Sequence, residues 1–523
     1  MQKRALQLHL WLLQHESRAF LAWALLHTLP VLLPAFFMSY DGPAHLYNSR
    51  LLVEWFGPDR SWLEGFIYLQ HEPLPNWITY PFLALFGALG NYFWADKLLQ
   101  LLYVMSMMYG FRYLVRSFSA ETKLLSWLGG VLVYHHVTGM YNFSMSLPLL
   151  MLIMGYYERI NGQFNVRNIS SLLVLSILLY FSHLTGYLAA GLLCGLLWIH
   201  QQWRAQDQKQ FELPTTLRSL GATFLFFLPS LAMAVSFFLK RSGSASSGFS
   251  TPLLLEKLGR MDALILFNTG LEFGILRWLY VIAALVLLAS WRKVRYERLP
   301  LHPLALGMWA MLALYFFVPD ASMGASFTSV RLQLFFISLA LAWMASQSLP
   351  WKTELTAWSI TLILSVALLW HYGKSWHGLS RDVAQWEAAG KQLPNRSRVL
   401  TLNYATHWYH EHISNFLGLD APLILMYENY EATNDYFPFR FQTETLEHYR
   451  QLRPLLAWPP QPDAQSLQLA PSLVDVVVRW KYDSQNAEQQ HAGLDSLLSQ
   501  HYQPYYRSEQ GHLELFKRKS YEH

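Results

Sequence analysis

Apolar residues in this chain fall into long runs separated by short polar loops. The runs lie at roughly 20–38, 94–113, 123–138, 142–157, 169–182, 184–200, 218–239, 270–290, 303–319, 329–347 and 355–372. Each holds about 14 to 22 residues with few charges, the length of a helix crossing about 30 Å of hydrocarbon. The pattern predicts a polytopic α-helical membrane protein with about 11 transmembrane helices. A further apolar piece at 77–90 is predicted as a juxtamembrane or re-entrant helix, because counting it as a crossing moves Arg112, Arg116 and Lys123 outside. The opposite repair makes 77–90 a crossing and 169–200 one long bent helix. Both repairs leave the orientation after residue 201 unchanged.

Beyond residue 372 the pattern changes to mixed short periods. Val399 to Leu402 and Val474 to Trp480 read as strands, Gln489 to Ser499 as a helix, and Tyr502 to Lys519 as a hairpin around Gly511. The expected organisation is a transmembrane domain over 1–372 and a small C-terminal α/β domain over 373–523, on the extracytoplasmic side.

Composition agrees with a bilayer as solvent: 53% of residues are hydrophobic and only 14% charged, against about 25% charged in ordinary soluble proteins. The net charge of +5 does not point to nucleic acid. The basic residues sit in loops predicted as cytoplasmic: Arg112, Arg116 and Lys123; Arg159 and Arg167; Arg204 and Lys209; and Arg292, Lys293, Arg295 and Arg298. The single cysteine, Cys194, excludes a disulfide framework and a cysteine metal site. The first run follows Lys3, Arg4 and Arg18 without a clear cleavage site, so it is expected to be a retained signal anchor.

Three outward segments carry candidate chemistry. The first opens Tyr40-Asp41-Gly42-Pro43-Ala44-His45-Leu46-Tyr47-Asn48. In a helix starting there, Asp41, His45 and Asn48 share one face. An aspartate with a histidine one turn on suits taking a proton from a hydroxyl or binding a divalent cation. The plainer reading makes Asp41 an N-cap with Pro43 in the first turn. Further along, His71 and Glu72 in a Pro-rich corner are candidate metal ligands, although adjacent residues point apart.

Tyr141 and Asn142 follow the third run and His183 joins the fifth to the sixth, so polar groups gather at one membrane depth, as cavity-lining residues do. Interfacial snorkelling is the alternative. Lys240 and Arg241 open a Gly/Ser-rich outward loop, with Lys257 and Arg260 after it. Cations there run against the positive-inside pattern and suit phosphate binding. Arg331, just inside the tenth run, is a second phosphate-contact candidate. The aromatic stretch from Tyr427 to Phe439 suits stacking on sugar rings or ordinary core packing.

In order, these features are an aspartate motif after the first helix, a Pro-containing corner, and a crossing that ends Phe111-Arg112-Tyr113-Leu114-Val115-Arg116. A long outward loop after the seventh crossing and a C-terminal domain follow. The order resembles the GT-C superfamily of membrane glycosyltransferases, in particular the branch with the lipid A aminoarabinose transferase and the protein O-mannosyltransferases. The resemblance implies an inverting enzyme of the bacterial inner membrane that uses a polyprenyl-phosphate sugar donor and a lipid, glycan or protein acceptor among the membrane lipids.

In that frame Asp41 is the catalytic base or acceptor-orienting group, with His45 beside it. Glu72 is a cation ligand, and Lys240 and Arg241 meet the donor phosphate. Two positions depart from the family pattern: Gly42 stands where many relatives carry Glu, and Tyr141-Asn142 where many carry a second aspartate. A transporter or flippase of a lipid-linked solute is a competing reading, though no inverted repeat or pair of matching broken helices supports it. A non-catalytic membrane scaffold is the other.

Overall fold

The computed structural model describes residues 2–119, 121, 123–209, 212–240, 250–296, 302–321, 327–419, 423–486 and 492–519. Arg241, the Gly/Ser-rich run 242–248, Arg298, residues 322–326 and the expected helix start at Gln489 lie outside the described residues.

Among the described residues six helices are long and apolar enough to cross a membrane: Tyr92–Phe118, Leu184–Asp207, Leu213–Leu239, Thr269–Trp291, Thr328–Ser346 and Trp351–Gly390. Shorter apolar helices run Thr79–Leu89, Leu124–His135, Val166–Ser182 and Pro303–Phe317. Leu213–Leu239 exposes Leu217, Phe224, Leu225, Leu228 and Val235, and Trp351–Gly390 exposes Ile363, Val366 and Trp370. Apolar faces of that extent suit lipid as solvent and mark an integral membrane protein.

Several elements differ from the sequence pattern. Instead of a run over 20–38, helix occupies Gln2–Leu26 and then Leu29–Leu32. Pro30 and Pro34 each withhold an amide donor, so the chain breaks twice. The stretch at 123–138 is a 3₁₀ turn at Leu124–Leu128, one α turn at Gly129–Leu132 and a second 3₁₀ segment at Val133–Thr138, because two glycines and three valines weaken an α-helix there. At His183 the backbone is extended, with φ −164° and ψ 134°, which separates Val166–Ser182 from Leu184–Asp207. Thr79–Leu89 has 11 residues, about 16 Å of helix, too short to span hydrocarbon.

The chain forms two compact units. The first comprises residues up to 30, 101–136 and 142–374. Within it Glu16, 2% exposed at its side chain, accepts from Arg112 Nε at 3.0 Å and Arg116 Nη2 at 2.7 Å. Glu354 bonds His9 Nε2 at 3.0 Å and the Leu124 amide at 2.9 Å. Both are pairings of a buried carboxylate, without which the charge would be costly.

The second unit comprises 31–100, 137–141 and 375–523. Its larger sheet has the order β3-β2-β5-β7-β6, with β2 Ser397–Asn403, β3 Ile424–Met426, β5 Val476–Trp480, β6 Tyr502–Arg507 and β7 Leu513–Arg518. β2 runs parallel to β3 and β5, and β7 is antiparallel to β5 and β6. Leu400, Leu402, Leu452, Leu455, Val477 and Leu498 pack its core. Asp475 binds Arg398 at 2.9 Å and Arg518 at 3.1 Å. A small antiparallel pair, β1 Ile67–Leu69 with β4 Phe439–Phe441, joins the segment after the first helices to the C-terminal region by backbone hydrogen bonds.

Candidate active site

The second unit carries a cluster of buried ionisable groups built around the helix Gly42–Trp55. Asp41 is its N-cap by position, accepting the Ala44 and His45 amides on its carbonyl at 3.0 and 3.3 Å. Its side chain makes no capping bond. The carboxylate is therefore available for other partners, receiving a hydrogen bond from Tyr430 and lying 3.5 Å from His412 Nε2, with 18% of the side chain exposed.

Burial pushes the Asp41 carboxyl up to about 7. His45 and the Tyr430 hydrogen bond pull it down, and Glu431 and Glu411 push it further up. A carboxyl with that pKa is half-ionised near neutral pH, which matches a general base to its task. His412 goes the other way: burial, and then the charge of His45, hold it down to about 3. It is thus a neutral imidazole beside Asp41 and not an ion-pair partner.

One turn along the same helix, His45 is 3% exposed. Its Nδ1 lies 2.7 Å from Glu431 Oε1 and 2.7 Å from the Tyr80 hydroxyl, and that hydroxyl donates to Glu431 Oε2 at 2.8 Å. A further hydrogen bond joins the ring to the Gly139 carbonyl. Burial is the largest single influence and lowers the His45 pKa, but the Glu431 charge and hydrogen bond, Asp41 and the Gly139 carbonyl together outweigh it and raise the pKa. The approach at Gly139 is close: φ is +77°, and a Cβ there would fall 2.1 Å from the Asp41 amide nitrogen.

A second chain of hydrogen bonds runs from Ser39 Oγ to the Tyr141 hydroxyl at 2.7 Å and on to Asp96 Oδ1 at 2.8 Å, which also accepts from Gln100 at 2.7 Å. The Tyr141 and His45 rings stand 5.2 Å apart. Around the mouth, Tyr40 packs against Trp408 and His412 at 4.9 and 5.0 Å, and its hydroxyl donates to Glu411.

Asp41, His45 and Tyr141 thus come together. Asn48 exchanges hydrogen bonds with Asn429 at 2.9 and 3.0 Å and donates to the Ala44 carbonyl, so its amide ties the helix to the C-terminal region. Asn142, His183, Lys240 and Arg331 belong to the first unit. There the Arg331 guanidinium lies 5.4 Å from the centre of the Phe143 ring, which has His183 at 5.2 Å on another side. Lys240 is exposed at the end of Leu213–Leu239. His71 is exposed and Glu72 half-buried in their corner. Among the described residues no three His, Cys, Asp or Glu side chains converge as a group that could hold a metal ion.

Sequence reasoning did not single out Glu431, Tyr80, His412 or Asp96. Asp96 had a signal: an acid inside an apolar run marks function by default. Glu431 had none beyond being an acid in an aromatic stretch, because its proximity to His45 spans 386 positions along the chain.

The fold is that of a membrane-embedded, mostly helical protein with a mixed sheet in its C-terminal region. It is similar to two crystal structures of ArnT from Cupriavidus metallidurans. One, bound to undecaprenyl phosphate, matches with a TM-score of 0.53 at 12% identity over 96% of this chain and 97% of that one. The other, in the apo state, matches with a TM-score of 0.51 at 12% identity over 96% and 98%. No family model matches the sequence, and no curated protein does.

Proposed function

We propose that this chain is an integral membrane glycosyltransferase that moves a sugar from a polyprenyl-phosphate donor to a lipid, glycan or protein acceptor. The observation that carries the reading is a half-buried Asp41 carboxyl poised near neutral pH and flanked by His45, in a chain with the fold of ArnT, one of whose structures is bound to undecaprenyl phosphate.

In this mechanism Asp41 takes the proton from the acceptor hydroxyl as that oxygen attacks the anomeric carbon. The bond from that carbon to the phosphate oxygen breaks, and its electron pair leaves on the polyprenyl phosphate. Attack from the face opposite the leaving group inverts the centre. Fixed positive charge stabilises the departing phosphate, the part of such a reaction where fixed charges contribute most, and this is the role the sequence suggests for Lys240, Arg241 and Arg331. Tyr141 stands beside His45 at this site. The reaction takes place at the outer face of a bacterial inner membrane, with the C-terminal region extracytoplasmic.

The test is transfer of radiolabelled sugar from polyprenyl-phosphate donors to membrane extract by the purified wild type and Asp41→Asn. Transfer by the wild type that falls about 10²-fold or more in Asp41→Asn is expected. Equal transfer by both proteins removes Asp41 from the chemistry, and none by either across a broad donor panel removes the reaction.

A further inference from the structure

We infer that Glu431 is a positioning residue for this site, reaching it from the C-terminal region to hold His45 as a cation one helical turn from Asp41. The inference deepens the reaction proposed above and rests on it for its catalytic meaning, but the ion pair itself stands on geometry.

Parallel strands β2 and β3 end at Asn403 and Met426. The chain segments after their carboxyl ends carry Glu411 and His412, and Tyr430 and Glu431, respectively. Segments at the carboxyl ends of parallel strands are where open α/β sheets place binding groups. Here both converge on Asp41 and His45. Glu431 is fully buried, and its two oxygens are engaged by His45 Nδ1 at 2.7 Å and Tyr80 at 2.8 Å. A buried carboxylate needs such a partner, and removing one member of a buried pair is far costlier than the pair is stabilising.

The groups facing His45 are Glu431, Asp41, Asp96, the Tyr80 hydroxyl, the Tyr141 and Phe437 rings, His412 and the Gly139 carbonyl. Those facing Asp41 are His45, Glu431, Glu411, Tyr430, Tyr40 and His412. Glu431 acts on Asp41 in two opposed ways. Directly it raises the Asp41 pKa, while through the His45 cation it lowers it, and the His45 effect is the larger. Without the Glu431 charge, burial returns His45 to the neutral form. Asp41 then loses its strongest counter-charge, and its pKa rises.

The experiment uses the full chain in detergent with ¹⁵N-labelled histidine, the His45 signal being the one absent from His45→Gln. The wild type is expected to lose the second His45 proton at a higher pH than Glu431→Gln does. Indistinguishable His45 titrations in the two proteins overturn the inference. Glu431→Asp keeps the charge but retracts it by one methylene. It serves if the Gln variant does not fold: its His45 midpoint is expected below that of the wild type, and an unchanged midpoint overturns the inference.

In the transfer assay the acid limb of kcat/KM is expected to move up by about one pH unit in Glu431→Gln, whereas a merely structural role lowers activity at every pH and leaves the limb in place. A wild type that transfers no sugar defeats the reaction assignment, and the His45 spectrum then decides the pair alone.

Discussion

The Tyr141 hydroxyl occupies the space that a side chain at Gly42 would need: a Cβ at position 42 would fall 2.1 Å from that oxygen and 2.1 Å from Ser39 Oγ. Positions 42 and 141 are therefore coupled in space. Tyr141 reaches into the volume beside Asp41, and its hydroxyl is fixed there by Ser39 and Asp96. Position 42 is left with room for hydrogen only.

Gly42→Ala is accordingly expected to cost about 1–3 kcal/mol, the usual range for overpacking a tight site. Thermal unfolding in detergent measures it. In a Tyr141→Phe background the same substitution meets one oxygen fewer, so the cycle is expected to show a favourable coupling between positions 42 and 141. Strict additivity would mean that the two residues do not compete for this space.

Asp41 should make the protein less stable as pH rises. In the unfolded chain it ionises near its ordinary 3.8, in the folded one only near about 7. Below about pH 4 both states are protonated and Asp41 is neutral in effect. Between those values the unfolded state alone loses its proton, and stability falls by up to about 4 kcal/mol, less where water reaches the partly exposed side chain. Asp41→Asn is thus expected to melt higher than the wild type at pH 8 and at a similar temperature at pH 4. Identical melting curves at pH 8 would remove the raised pKa.

If Asp41 is the base, transfer rises with pH through about 7 and levels above it. A rate profile for the wild type, with saturating donor at each pH, reads the midpoint directly. A midpoint near the ordinary carboxyl value would mean that the site is wetter than its geometry indicates.

Glu16 neutralises Arg112 and Arg116 together. Glu16→Ala is expected to cost about 3–5 kcal/mol because two guanidinium groups lose their buried counter-charge. Adding Arg112→Met is expected to restore part of the loss. A melting temperature unmoved by Glu16→Ala would show that water or lipid headgroups serve the arginines equally well.

Asn48→Ala leaves the Asn429 amide buried with its partner gone, at a cost of about 1–3 kcal/mol. The loss should appear in thermal stability, while the KM for donor stays near the wild-type value. A raised KM with unchanged melting would instead put Asn48 in contact with substrate.

Much of the molecule was legible from one dimension. Hydrophobic runs give helices wherever length and lack of charge are decisive, as at Leu213–Leu239 and Thr328–Ser346, because lipid obliges each backbone to satisfy its own hydrogen bonds locally. Period-two patterning placed β2, β5 and the β6–β7 hairpin within a few residues. The Asp41 and His45 spacing was also readable, since two residues one helical turn apart share a face whatever the rest of the chain does.

Tertiary structure decided what those two residues meet. Gly42 and Tyr141, His45 and Glu431, and Asn48 and Asn429 are brought together across 99, 386 and 381 positions, and no local period encodes such distances. The sequence determined that Asp41 follows a helix and opens another. Whether its carboxylate would cap that helix or face His412, Tyr430 and the neighbourhood of Glu431 depended on where the segments after β2 and β3 folded back. Burial among those groups, a property of the packed unit, moves the carboxyl to neutral pH.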